Sequence, residues 1–162
     1  MKPAAAIGFG VVAGAAGTAL MTAYQEGIAR ATGSGDGGSK EPRTWAEAPA
    51  PAQLVKKVSE GAFGHRIVKR QAPMITNAVH WTYGTALGAA YGVLQSRLRM
   101  HPLLHGPLFG TAVWGLGYAT LAPLGIYEPP WESPPKTLAK DWSYHAVYGL
   151  GVASVFDALS EL

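Results

Sequence analysis

The 162-residue chain reads as an all-α membrane protein. We expect four transmembrane helices arranged as two parallel-repeat helical hairpins, with an interfacial amphipathic helix in the first loop. Three observations predict this. The charged residues are crowded into a few intervals that leave long uncharged runs between them, which is how membrane helices look even when the mean hydropathy is only +0.10. The 21 glycines recur at small-xxx-small spacing, which lets helices approach backbone to backbone. The pentad H-x-x-Y-G occurs twice, as His80–Gly84 and His145–Gly149, each time inside an uncharged run.

The first element, residues 4–25, is uncharged and rich in Ala and Gly, with Gly10, Gly14 and Gly17 spaced for helix contact. It is read as a retained helix, because its apolar stretch is long and poor in leucine for a signal peptide. Residues 26–70 form the one long polar loop. Gly33–Gly38 is a flexible linker signal, and the Pro-rich stretch after Glu41 is expected not to be helical. From 52 to 70, Leu54, Val55, Val58 and Ala62 repeat at helical spacing against Lys56, Lys57 and Glu60, predicting a basic amphipathic helix in the headgroup region.

The second helix, 72–95, carries His80, Tyr83, Gly84, Gly88 and Gly92 on one side of the wheel. Arg97 and Arg99 end it. The third helix, 103–124, contains Gly106, Gly110, Gly115 and Gly117, with Pro123 as a kink or exit. Glu128–Pro135 is a stiff loop. The fourth helix, 138–160, has only the run between Asp141 and Asp157 free of charge.

The two H-x-x-Y-G pentads, together with the related loop phrases at Glu41–Pro49 and Glu128–Pro134, indicate a two-helix duplication. Four spans would put helices two and four in the same direction, with His80 and His145 at similar depth about an axis along the membrane normal. The expected centre is a Gly-lined contact between these two helices, built from Gly84, Gly88, Gly92 and Gly149. Of the thirteen Lys and Arg residues, eight fall in loop one, Lys136 in loop three and Lys140 in the first turn of the fourth helix, against Lys2, Arg97 and Arg99 elsewhere, which places loops one and three in the cytoplasm and both termini outside.

The Gly/Ala-rich helix ending in Met21–Gln25, the Glu41-Pro42-Arg43 and Trp45 loop, and the two H-x-x-Y-G helices together resemble the YagU-like family of small bacterial inner-membrane proteins. The chain lacks the basic-aromatic signature at the end of helix one associated with that family. The resemblance implies a multi-pass protein of the bacterial inner (cytoplasmic) membrane and carries over no catalytic residue.

Candidate chemistry is sparse. The absence of cysteine excludes disulfides, thiolate metal sites and cysteine nucleophiles. Despite a pI near 9.2, no nucleic-acid motif accompanies the basic residues, and anionic lipid is the expected counter-charge at the basic loop. His80 and His145 are either partners in a His/Tyr hydrogen-bond network or, alternatively, a bis-histidine haem pair. Asp141, His145, Tyr148 and Tyr83 are candidates for a proton relay. His101 and His105, four apart, are a weak metal pair without a third ligand. Trp45, Trp131 and Trp142 read as interfacial anchors. We expect no enzymatic activity and no resident cofactor or metal. The expected role is structural, through association or envelope homeostasis. The alternative is a proton-coupled or small-solute permeation path. Expected partners are the bilayer and either a second copy or another membrane protein.

Overall fold

The computed structural model describes residues 2–33, 42–98 and 101–161. Among them there are five α-helices and no strand: α1 (Pro3–Ala31), α2 (Ala50–Phe63), α3 (Ala72–Leu98), α4 (Pro102–Leu121) and α5 (Pro135–Ser160). Single 3-10 turns at Trp45–Glu47 and Lys69–Gln71 lie before and after α2. The Gly33–Gly38 linker falls outside the described residues except for Gly33, as do Lys40, Glu41 and Arg99.

The boundaries differ from those expected for local reasons. α1 runs past Gln25 because Arg30 pairs with Glu26 at 2.8 Å one turn back, a favourable i,i+4 arrangement at the basic C-terminal end. The expected amphipathic helix over 52–70 stops at Phe63. Gly64 adopts φ 63°, a left-handed conformation suited to glycine, and breaks the helix before His65 and Arg66. The Pro-rich stretch is not wholly irregular, since Pro51 sits in the first turn of α2, where its missing N–H costs nothing. α4 ends at Leu121, short of the predicted 124, with Pro123 and left-handed Gly125 in the turn that follows.

The four long helices lie side by side. α1 packs on both α3 and α5, and α5 packs on α4. A Cβ built on Gly14 would stand 2.7 Å from the Gly84 carbonyl oxygen and 2.9 Å from Gly88 Cα. Gly10 faces Gly88 and Ala89, and Gly92 faces the Ala6 carbonyl, so α1 and α3 run antiparallel with backbones nearly touching. The hairpin α4–α5 repeats the device: Gly149 sits against Gly106 and Gly110, and Gly110 against the His145 carbonyl. α1 and α5 also close tightly, a Cβ on Gly17 falling 2.6 Å from a Val152 methyl and 2.9 Å from the Tyr148 carbonyl.

This corrects the expectation of a Gly-lined contact between α3 and α5. Wheel geometry identifies the smooth face of a helix and leaves its partner open. Each stripe meets its own hairpin neighbour instead: Gly84, Gly88 and Gly92 meet α1, and Gly149 meets α4. α3 and α5 run parallel but touch little; the Tyr148 hydroxyl bridges them by donating to the Gly84 carbonyl at 2.6 Å.

Large apolar side chains lie on both sides of the packing: Met21, Val113, Val152 and Phe156 join Tyr91 and Tyr148 in the core, and a second set stands outside. The interior holds Ala6, Ala13, Gly10, Gly14, Gly17, Thr18, Gly149 and Ala153 with a few aromatics. Large apolar side chains stand outside: Val12 on α1, Leu94 on α3, and Leu103, Leu104 and Leu108 on α4. By length and composition one helix, α1, is long and apolar enough to cross a membrane, among the described residues. In α4, glycines, two prolines and Trp114 dilute the leucines; α5 carries Lys136, Lys140 and two aspartates.

Candidate functional site

The polar side chains between the long helices fall into two groups. The first lies on the half nearer α2. There, α1 presents Thr22 to His80 on α3, with Oγ1 and Nε2 3.2 Å apart. The Thr22 hydroxyl has one proton and donates it to the Thr18 carbonyl at 2.9 Å. His80 must therefore donate through Nε2, and its Nδ1 is left as an acceptor. On α5, His145 Nδ1 lies 2.8 Å from the Asp141 backbone carbonyl, which can only accept. His145 thus carries a proton on Nδ1. The two imidazoles are close enough to interact electrostatically.

Asp141 does not serve His145 through its carboxylate. Its Oδ1 is 3.9 Å from His145 Nδ1, beyond hydrogen-bond range. Oδ2 instead accepts from Trp114 Nε1 on α4 at 3.0 Å. The Tyr118 hydroxyl stands beside the same carboxylate, and Tyr127, on the loop after α4, is near it as well. The rings form a chain, Trp114 to Tyr118 at 5.1 Å and Tyr118 to Tyr127 at 5.1 Å. Burial first, then the Asp141 charge and Tyr118, push the Tyr127 phenol up to about 12.

The proton-relay set is therefore not continuous. Tyr148, 2% exposed, spends its hydroxyl on Gly84, and Tyr83 is 46% exposed, turned toward the outside. The partners that organise Asp141, namely Trp114, Tyr118 and Tyr127, escaped the sequence reading. A signal was present: Trp114 and Tyr118 are one helical turn apart, and Tyr127 follows a Pro-Gly turn that folds it back.

The second group lies on the other half. Tyr91 on α3, 1% exposed, meets His105 on α4, Nδ1 to hydroxyl 3.3 Å, and packs on Phe109 at 4.8 Å and Phe156 at 5.6 Å. These aromatics fill the space between α3 and α4, whose backbones do not close as α1 and α5 do. His101 caps α4 by accepting from Leu103 N–H at 3.3 Å. It is exposed while His105 is buried, so the two do not form a pair. No group of three or more metal-ligating side chains occurs among the described residues.

Outside the long helices, Ala48, Ala52 and Ala72 make a small core under Trp45 and Ile75. Lys57 donates to the Leu124 carbonyl at 2.6 Å, tying α2 to the loop after α4. Lys69 donates to the Arg43 carbonyl at 2.6 Å. Phe63 and Trp131 are 78% and 82% exposed at this end. Trp142 donates to Thr111 at 2.9 Å and remains 41% exposed. Comparison of the chain with protein-family models, with curated proteins and with solved structures finds no match.

Proposed function

We propose that the chain is a non-enzymatic, multi-pass protein of a bacterial inner membrane, a four-helix bundle made of two parallel-repeat hairpins, α1–α3 and α4–α5. Its role on this reading is association or envelope homeostasis. The observation that carries it is the pairing of backbone-close glycine contacts between the helices with large apolar side chains left outside, Val12, Leu94, Leu103, Leu104 and Leu108, although an apolar core is also present. In water such a surface is an aggregation hazard; in lipid it is the solvated face. Charge supports the same placement. α2 and the loops at its end hold Lys57, Arg66 and Arg70 beside exposed Val58 and Phe63, which suits a headgroup region containing anionic lipid.

The repeat reading rests on aligned positions and on correspondence of the glycine contacts. His80, Tyr83 and Gly84 fall on His145, Tyr148 and Gly149, and the opposing Gly14 falls on Gly106. The second copy has diverged where it matters for shape. Phe109 stands where Gly17 does, so α4 is held off α3 while α1 closes on α5.

The permeation and haem alternatives draw less support. His80 and His145 each use one nitrogen in a fixed hydrogen bond, and axial ligation of haem through His80 Nε2 would break the bond to Thr22. The test has two arms. On alkaline carbonate extraction the protein should stay in the membrane pellet; release into the supernatant sinks the membrane reading. In cells lacking the chain, His80→Ala and His145→Ala should restore envelope integrity, measured by dye exclusion, whereas Gly14→Leu should not. The reverse pattern would favour chemistry at the histidines over packing.

A further inference from the structure

Asp141 poses a problem of charge balance. Its side chain is 26% exposed, and among the described residues the ion pair it makes is with His145 Nδ1 at 3.9 Å, whose proton is directed to a backbone carbonyl; the adjacent Lys140 is exposed. Its hydrogen-bond donors are neutral: the indole N–H of Trp114 at 3.0 Å and the hydroxyl of Tyr118. Hydrogen bonds from neutral donors hold a carboxylate in place without cancelling its charge.

Around this charge stand three aromatic rings. Trp114 and Tyr118 meet at 55°, and Tyr118 and Tyr127 at 50°. Rings inclined in this way are adjoining walls, not a flat stack. All three, with Asp141, are partly exposed, and they lie on the second half of α4, the loop after it and the first turns of α5. The indole N–H holds the carboxylate at a ring edge; a carboxylate fixed beside aromatic rings whose electron-rich faces remain available can recognise an organic ammonium group, which gains cation–π attraction from the rings and an ion pair from the carboxylate.

We infer that Trp114, Tyr118, Tyr127 and Asp141 form a binding site for a small organic ammonium ion. The ammonium chemistry has two sources, the headgroup of phosphatidylethanolamine or a free amine such as ethanolamine. The position between the end of α4 and the start of α5 suits a headgroup. That choice of source, unlike the site itself, rests on the membrane placement proposed above.

Native mass spectrometry of the full chain, released from detergent with equal phosphatidylethanolamine and phosphatidylglycerol, tests this. Asp141→Asn should remove most retention of the ethanolamine lipid while leaving that of the glycerol lipid unchanged. Tyr127→Leu should lower ethanolamine-lipid retention by about three- to thirtyfold, and Tyr127→Phe, which keeps the ring, should hold it near the parent level. Equal retention in the parent, Asp141→Asn and Tyr127→Leu overturns the proposal. Should those two variants fail to fold by circular dichroism, the parent protein still decides. Added tetramethylammonium should shift the Trp114 indole N–H resonance, and a resonance that stays put at saturating tetramethylammonium rules the site out. Displacement of the lipid by free ethanolamine identifies the soluble amine as a ligand, and failure to displace it identifies the lipid. If the chain proves not to reside in a membrane, the tetramethylammonium shift still tests the cage.

Discussion

Replacing Gly14 by alanine adds one methyl group where α1 and α3 are closest. That methyl would lie 2.7 Å from the Gly84 carbonyl oxygen and 2.9 Å from Gly88 Cα, against the 3.4–4 Å of ordinary contact. Both obstacles are backbone, so no side chain can swing aside; the helices must part by roughly 1 Å or absorb the strain. Overpacking of this kind costs about 1–3 kcal/mol. Alanine also favours the helical backbone by about 0.8–1 kcal/mol over glycine, which would mask part of the loss. Gly8 supplies the control, since a Cβ there meets nothing within 4 Å in the same helix. The propensity gain is common to both changes and cancels in the comparison. Gly14→Ala should therefore be less stable than Gly8→Ala by about 1–3 kcal/mol, read from reversible unfolding in mixed micelles. Equal stability of the two variants would refute the backbone-contact account of the α1–α3 interface.

Three further outcomes follow from the same geometry. Tyr148→Phe removes the hydrogen bond from α5 to the Gly84 carbonyl of α3 and should cost about 0.5–1.5 kcal/mol by the same unfolding measurement, with a null effect showing that the bridge is incidental. Nitrogen-15 spectra at neutral pH should find His80 protonated on Nε2 and His145 on Nδ1; the opposite tautomers would contradict the hydrogen bonds assigned to Thr22 and Asp141. The Lys56 side chain, 2.6 Å from Glu60, holds the Glu60 carboxyl below its usual range, with the Ile67 N–H adding to the effect. A lowered folded value means this support is present above the ordinary carboxylate pKa and disappears as pH falls through the folded one. The protection factor of the Ile67 amide, its exchange rate normalised to the intrinsic rate at each pH, should fall on acidification below that range, and Glu60→Gln should abolish the dependence.

The helices were legible in the sequence because charge segregation and glycine spacing are properties of single segments. Which helix faces which was not. The stripe Gly84, Gly88, Gly92 reports a smooth surface, and only the three-dimensional arrangement assigns it to Gly14 and Gly10 instead of to α5. His80 and His145 were recognisable as counterparts from their pentads, yet their protonation depends on Thr22, Thr18 and a backbone carbonyl, none of which a motif encodes. The end of α2 turned on one residue, Gly64, whose left-handed conformation outweighed the apolar periodicity running through it. Asp141 read as a relay partner for His145 because the two are one turn apart. In the folded chain the carboxylate is claimed by Trp114, distant in sequence.

The central claim is that the four long helices cross a membrane with α2 and the loop after α4 on one face. The chain has no cysteine, so a single one reports its own location. Separate His65→Cys, Ser133→Cys, His101→Cys and Ser160→Cys proteins, probed in intact cells with a membrane-impermeant maleimide, give a direct answer. Cysteines at 101 and 160 should label from outside, and those at 65 and 133 only after permeabilisation. Labelling of 65 and 133 from opposite faces, or of all four alike in intact cells, would contradict the arrangement.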